Sequence, residues 1–230
     1  MILFAGDSFT WGQGLEWEYL IQNEGYTIDK INTLIPPKYA CERLPIHLQD
    51  YREKNRWPRL VAEYFNTNYD TLRCGNGGSN GDIYKFLDNF QHIIHPENVD
   101  LIVIQFTHSG RDLPPNFLGP TESIFINEVN VAKSVIQNIE KKYPHINIVT
   151  LSWLPEIGKL VEKELGEKYV IKLDGDYGFE NWISTRNLGC TYEGMRDFHF
   201  NLEGHRELSK YVITHLVNYN LIKKNTFYEI

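Results

Sequence analysis

The chain has 230 residues, 42% of them hydrophobic and 23% charged, which excludes a disordered or collagen-like polymer and suits one generous domain. Its 30 acidic and 23 basic side chains leave a formal charge of −7 with no long basic run, so no nucleic-acid partner is expected. No stretch approaches the roughly 18 apolar residues of a membrane span, and three cysteines (Cys41, Cys74, Cys190) form neither a CxxC pair nor an even disulfide set.

Reduced thiols, a cytoplasmic location and no membrane partner are therefore expected. The opening Met1-Ile2-Leu3-Phe4-Ala5 is too short for a secretory signal and reads as a buried strand, with structure from the first residue. Further continuous apolar runs read as strands buried on both faces: a weak one near Tyr69–Arg73, then Leu101–Phe106, Ile146–Leu151 and Tyr169–Leu173. Between them lie helical patterns at Trp57–Phe65, with Pro58 near its start, at Ile83–Ile94, and at Glu122–Tyr143, ended by Pro144. A last helix is expected from Leu202 to Leu221. Strands alternating with helices predict βαβ units and a mostly parallel sheet with helices on both faces. The whole chain, 1–230, reads as a single domain with an insertion at about 15–55, where no clean periodicity emerges. Residues 174–196 are similarly irregular, and both aromatic-rich segments are candidate pocket walls.

The carboxyl ends of parallel strands face the ligand crevice, so polar residues just past them carry the functional reading. Ser8, in Gly6-Asp7-Ser8-Phe9-Thr10, follows the first strand; it is either a candidate nucleophile or a turn serine capping a helix. A serine hydroxyl attacks only with a base in reach and donors for the oxyanion. His199, in Asp197-Phe198-His199-Phe200-Asn201, is a candidate base: Asp197 two residues earlier can hold one ring nitrogen while the other faces out. Asn201 reads as the N-cap of the last helix and His205 as structural. A metal reading of Asp197, His199 and His205 matches no standard ligand spacing. The Cys74–Asp82 stretch is glycine-rich; amides near Asn80 and Gly81 would open a helix beginning near Asp82 and favour negative charge. It lacks the Gly-Lys-Ser/Thr of a P-loop and the third glycine of a dinucleotide fingerprint. After Phe106 come Thr107, His108, Ser109 and Arg111, any of the first three able to donate to an oxyanion. Arg111 could orient an anionic substrate or brace its loop; Asp7 and Phe198, beside the candidate nucleophile and base, are further candidate substrate contacts.

In this order the clusters resemble the SGNH (GDSL-type) hydrolase superfamily. Gly6-Asp7-Ser8-Phe9-Thr10 is similar to its first block, Gly78-Ser79-Asn80 to its second, and the Asp197/His199 segment with Gly204-His205 to its last. The compact layout also looks like members found in phage and bacterial genomes. The resemblance implies a three-layer α/β/α, flavodoxin-like domain and a Ser8–His199–Asp197 triad. It further implies an oxyanion hole of the Ser8 amide with that of Asn80 or Gly81, and no cofactor. Two positions depart from the family: Arg196, not an aspartate, stands three residues before His199, and the third block's Gly-x-Asn-Asp is replaced by Thr107-His108-Ser109-Gly110-Arg111. Ser109 or His108 would substitute for the missing side-chain donor. The implied activity is cleavage of a small carboxylic ester, such as an O-acetyl group. The alternatives are acyl transfer from the same site, a catalytically weakened ligand-binding or assembly protein, and a metal-dependent phosphohydrolase.

Overall fold

The computed structural model describes residues 1–27, 29–31, 45–72, 79–107, 122–192 and 195–224, with backbone alone at Leu72, 191–192 and 195–198. Strands β1 (Ile2–Ala5), β2 (Tyr69–Leu72), β3 (Leu101–Phe106) and β4 (Asn147–Ser152) form a parallel sheet in the order β2-β1-β3-β4. The register runs Phe4 beside Thr71 and Val103, with Val103 in turn beside Val149. Every side chain of β1 and β3 is buried, which is why these strands are continuous apolar runs rather than alternating ones.

Alternation within each strand divides the core in two. Leu3, Ala5, Ile102, Ile104 and Ile148 pack against α5 (Asn80–Asn89), α6 (Glu122–Lys142) and α7 (Pro155–Leu165). Ile2, Phe4, Leu101, Val103 and Val149 face α4 (Trp57–Phe65), α8 (Phe179–Arg186) and α9 (Leu202–Asn218). The result is the three-layer α/β/α sandwich. Two further helices, α2 (Leu15–Glu24) and α3 (Ile46–Asn55), follow the short α1 (Ser8–Trp11) and share a small apolar cluster of Leu20, Ile31 and Leu48. Strands β5 (Gly189–Tyr192) and β6 (Met195–Phe200) make a separate antiparallel ribbon.

Several elements differ from the sequence expectation, each for a local reason. The expected strand at Tyr169–Leu173 contributes one bridge, Thr150 to Val170. A 3₁₀ turn at Glu167–Tyr169 precedes it, and a tight turn through Asp174 (φ 55°) and Gly175 (φ 84°) follows, leaving no length for a ladder. The helix expected to begin near Asp82 starts at Asn80, because Ser79 and Asp82 form a capping box. It ends at Asn89 and gives way to a 3₁₀ turn at Phe90–His92. The last helix stops at Asn218, where Asn220 (φ 50°) turns the chain and buries Leu221. Residues 15–55 include the helices Leu15–Glu24 and Ile46–Asn55 although no apolar period is evident in the sequence. Charged residues occupy buried positions there (Glu16, Glu18 and Arg52), so hydrophobicity does not trace the inner face.

Candidate active site

In a parallel sheet ordered β2-β1-β3-β4, the direction in which successive strands are added reverses between β1 and β3, and the crevice of such a sheet opens past their carboxyl ends. Ser8 stands there as the first residue of α1. The capping residue is not Ser8 but Asp7, whose carboxylate accepts from the Phe9 amide at 3.0 Å. Asp7 is fully buried and also accepts from the Thr107 hydroxyl at the end of β3, so its carboxylate is engaged within the fold rather than presented to a ligand. Gln105, buried on β3, accepts from the Asp7 amide at 3.2 Å and from the Thr10 hydroxyl at 3.0 Å. A Cβ on Gly6 would lie 2.1 Å from the Thr10 hydroxyl oxygen and 2.8 Å from the Gln105 amide oxygen, so only glycine admits this knot.

His199 lies on β6, in the separate ribbon, with its Nε2 2.7 Å from Ser8 Oγ. The two residues are 191 positions apart in the chain and meet at one rim of the sheet. The ribbon is irregular where it matters. Gly189 pairs with Phe200 and Thr191 with Arg196, so residues 197–199 of β6 bulge opposite Cys190 alone. Such a bulge re-aims side chains that a regular ladder would fix. The Phe9 ring stacks on the imidazole (centroids 4.7 Å, interplanar 23°), and Trp17 meets its edge at 6.0 Å. Gly14 (φ 104°) lets α2 start against the ribbon, since a Cβ there would sit 2.8 Å from Cys190 Sγ and 3.2 Å from His199 Cβ.

Asn80 opens α5 beside the same crevice. Its side-chain oxygen accepts from the Thr107 amide at 2.9 Å, and its nitrogen donates to the Thr107 carbonyl and to Glu128, each at 3.3 Å. The side chain is thus a clip between α5 and β3. The amides of Asn80 and Gly81 stand in the first helical turn, where the helix itself supplies no acceptor. Ser79 donates to Asp82 through its amide and its hydroxyl, which holds the Asp82 carboxyl below its ordinary range.

His205, in the first turns of α9, is wholly buried; its Nδ1 accepts from the Trp57 amide at 3.3 Å. Burial, aided by the nearby His199 and Arg56, lowers its pKa to about 3, so the ring stays neutral. A buried cluster flanks α1 on the other side: Arg52 pairs with Glu16 at 2.9 Å, and the guanidinium groups of Arg52 and Arg56 lie over the Trp11 ring at 4.6 and 5.6 Å. Burial raises the Glu16 pKa against the opposing pull of Arg52.

Asp197 and Phe198 lie on the β6 bulge with only their backbone described, and His108, Ser109 and Arg111 fall outside the described residues. Among the described residues no group of three or more His, Cys, Asp or Glu is arranged to hold a metal ion, and no helix is long and apolar enough to cross a membrane. A depression of about 620 Å³ opens at the opposite, amino end of the sheet, lined by Met1, Arg59, Asn68, Tyr69 and Asn98 among others. It lies away from the Ser8–His199 pair. Sequence reasoning missed Phe9, Gly14, Gln105 and Glu18 as parts of the site's frame. Only Gly14 and Glu18 left no local signal, being recognisable through contacts with residues nearly two hundred positions away.

Comparison with solved structures places this architecture. An acetyl xylan esterase from the rumen bacterium Butyrivibrio proteoclasticus superposes over 96% of this chain with a TM-score of 0.53 and 11% identity. A carbohydrate esterase, its active site described as having divergent catalytic and non-catalytic binding functions, matches over 94% with a TM-score of 0.50 and 14% identity. The chain shares the fold of these two esterases. It spans 64% of the acetyl xylan esterase chain and 67% of the carbohydrate esterase chain. A protein assigned to the lipolytic G-D-S-L family from Desulfitobacterium hafniense DCB-2 aligns over 94% of this chain and 98% of its own, at a TM-score of 0.47 and 14% identity. No family model matches the sequence, and no curated protein matches it.

Proposed function

We propose that the chain is a serine esterase in which Ser8 is the nucleophile and His199 the general base. The observation that carries this reading is the 2.7 Å contact between Ser8 Oγ and His199 Nε2 at the switch point of the sheet. A hydroxyl and an imidazole at that distance, on separate elements and braced by buried hydrogen bonds, are what activation of a serine requires. In this mechanism Ser8 Oγ attacks the ester carbonyl while His199 Nε2 takes its proton. The imidazolium then gives that proton to the leaving alcohol, and water repeats the sequence on the acyl-enzyme. Asp197, two residues before His199 on the bulge, is assigned the orienting carboxylate. The amides of Ser8 and of Asn80 or Gly81 receive the oxyanion, with Ser109 or His108 as the further donor and Arg111 as an orienting cation for the substrate. The helix dipole of α5 favours the negative charge that develops there.

Small acyl esters, acetyl first, are the substrates to test, because a fold neighbour is named for acetyl xylan and this site has no long apolar lid in its sequence. The test pairs turnover of p-nitrophenyl acetate with fluorophosphonate labelling. In labelling, Ser8 Oγ bonds to phosphorus, fluoride leaves, and the serine proton passes to His199. Ser8→Ala is expected to lose labelling and at least about 10³-fold in kcat, and His199→Asn to do nearly as much, since members of a triad act as a unit. A wild type that is neither labelled nor active would favour a ligand-binding role. Acyl-enzyme formation with product released only onto an added alcohol would favour acyl transfer.

A further inference from the structure

Ser8 follows β1 of the four-stranded sheet, and His199 belongs to the separate β5–β6 ribbon, on a bulge where the ladder does not fix the backbone. Something outside the ladder must therefore set their distance. Glu18 on α2 is 8% exposed, and its Oε2 accepts from the Leu202 amide at 2.6 Å, three residues after His199. Its other oxygen accepts from Gln22 at 3.0 Å. Leu202 is the first residue of α9, and the Gly204 amide two residues on is taken by the Asn201 cap at 2.7 Å. The Asn201 amide nitrogen ties the same corner to Asn187 and Gly189, which lie on the ribbon's own side. Glu18 instead reaches across from the segment that begins with Ser8. The bond joins a carboxylate to the positive end of a helix, which makes it stronger than a neutral hydrogen bond.

We propose that Glu18 is a positioning residue: by holding the Leu202 amide it sets His199 against Ser8. The inference rests on the serine-esterase reading. Its action is indirect, through α9 and the end of β6, and it touches neither substrate nor reacting atoms. A carboxylate tether of this kind supplies orientation, and loss of orientation by an ångström can cost about 10²-fold in rate.

Two variants break the tether from opposite ends. Glu18→Ala removes the acceptor. Leu202→Pro removes the donor at a first-turn position where proline is favoured, and the preceding Asn201 (φ −74°, ψ 177°) already has the extended backbone proline asks of its neighbour. Each is expected to slow both kcat on p-nitrophenyl acetate and fluorophosphonate labelling of Ser8 by about 10- to 100-fold, with KM unchanged within about twofold. Glu18→Gln keeps an acceptor for Leu202 and should return the rate to within about threefold of wild type. The double variant Glu18→Ala/Leu202→Pro should be no slower than the worse single one, because both remove one interaction. Thermal unfolding of each variant is followed in parallel, and rates are taken well below the transition. A variant that melts earlier yet labels at the wild-type rate would reduce Glu18 to a stabilising cap and overturn the proposal. So would additive losses in the double variant. A wild type that resists labelling would remove the serine reading itself, and the positioning role with it.

Discussion

His205 gives the sharpest energetic test of how the last helix is seated. Its ring is wholly buried between α9 and the start of α4, and among the described residues no partner satisfies its Nε2. Since Nδ1 accepts from the Trp57 amide, the proton of the neutral ring sits on Nε2. The folded-state pKa of about 3 lies far below the ordinary 6.5, so between those values the unfolded chain binds a proton that the folded chain refuses. Stability from this residue is full above pH 6.5 and is lost progressively as pH falls towards 3. Integrating one proton over that shift gives a loss of about 2–3 kcal/mol between pH 7 and pH 4.5. His205→Asn supplies a side-chain oxygen where Nδ1 was, keeps the Trp57 contact, and cannot titrate. The variant will be less stable than wild type at pH 7, because it loses ring packing. Its stability should nonetheless fall by about 2–3 kcal/mol less over the same pH interval, an amount of order one molar in urea midpoint. Glu16, whose raised pKa acts with the opposite sign, is present in both proteins and drops out of the difference. Parallel pH dependences for the two proteins would refute a neutral, buried imidazole at this position.

Other perturbations probe the frame around α1. Gly14→Ala places a methyl group against Cys190 and His199 and forces a side chain onto a backbone at φ 104°. It should cost about 1–3 kcal/mol in urea unfolding and lower kcat more than it changes KM. Arg52→Met strands the buried Glu16 carboxylate and should cost about 3–5 kcal/mol at neutral pH. Because burial already raises the Glu16 pKa, that deficit should shrink as pH is lowered and Glu16 takes up a proton. Adding Glu16→Gln to Arg52→Met should restore part of the loss at pH 7; a double variant no more stable than the single one would show that the cost lay in packing.

The strands β1 and β3 were legible because they are buried on both faces, so Ile2–Ala5 and Leu101–Phe106 are apolar runs with no competing reading. The helix at Trp57–Phe65 was legible for a related reason: its apolar residues follow the helical period, and Pro58 sits where a first turn tolerates it. The helices α2 and α3 were not, since Glu16, Glu18 and Arg52 are buried and paired with one another or with a distant amide. No local pattern reveals a charge that is satisfied from elsewhere in the chain. The same holds within the site. Ser8 and His199 were singled out as candidates through residue type and position after a strand or before a helix, and Asp7 as a candidate substrate contact. Its neighbours Phe9 and Thr107 take up its carboxylate, and that pairing joins residues a hundred positions apart.

A three-residue Gly-Asp-Ser signal does not by itself build a nucleophile. The helix that presents Ser8 is four residues long, far below the length at which helices hold themselves together in water. Its geometry is imposed by contacts from the rest of the chain. Gln105 and Thr107 of the β3 end fix Asp7 and Thr10, and the Trp57 indole donates to the Phe9 carbonyl at 3.2 Å. Arg52 and Arg56 lie over Trp11 from α3 and its junction with α4. Among the described residues, buried polar atoms on Trp11, Gln13, Glu16, Arg52 and Arg56, in and around α1, lack a mate, and each such atom costs about 1–3 kcal/mol that an apolar packing would avoid. A fold selected for stability alone would have filled this space with aliphatic side chains. The cost is concentrated on the elements that hold Ser8 still, which is where rigidity of a reacting hydroxyl would repay it.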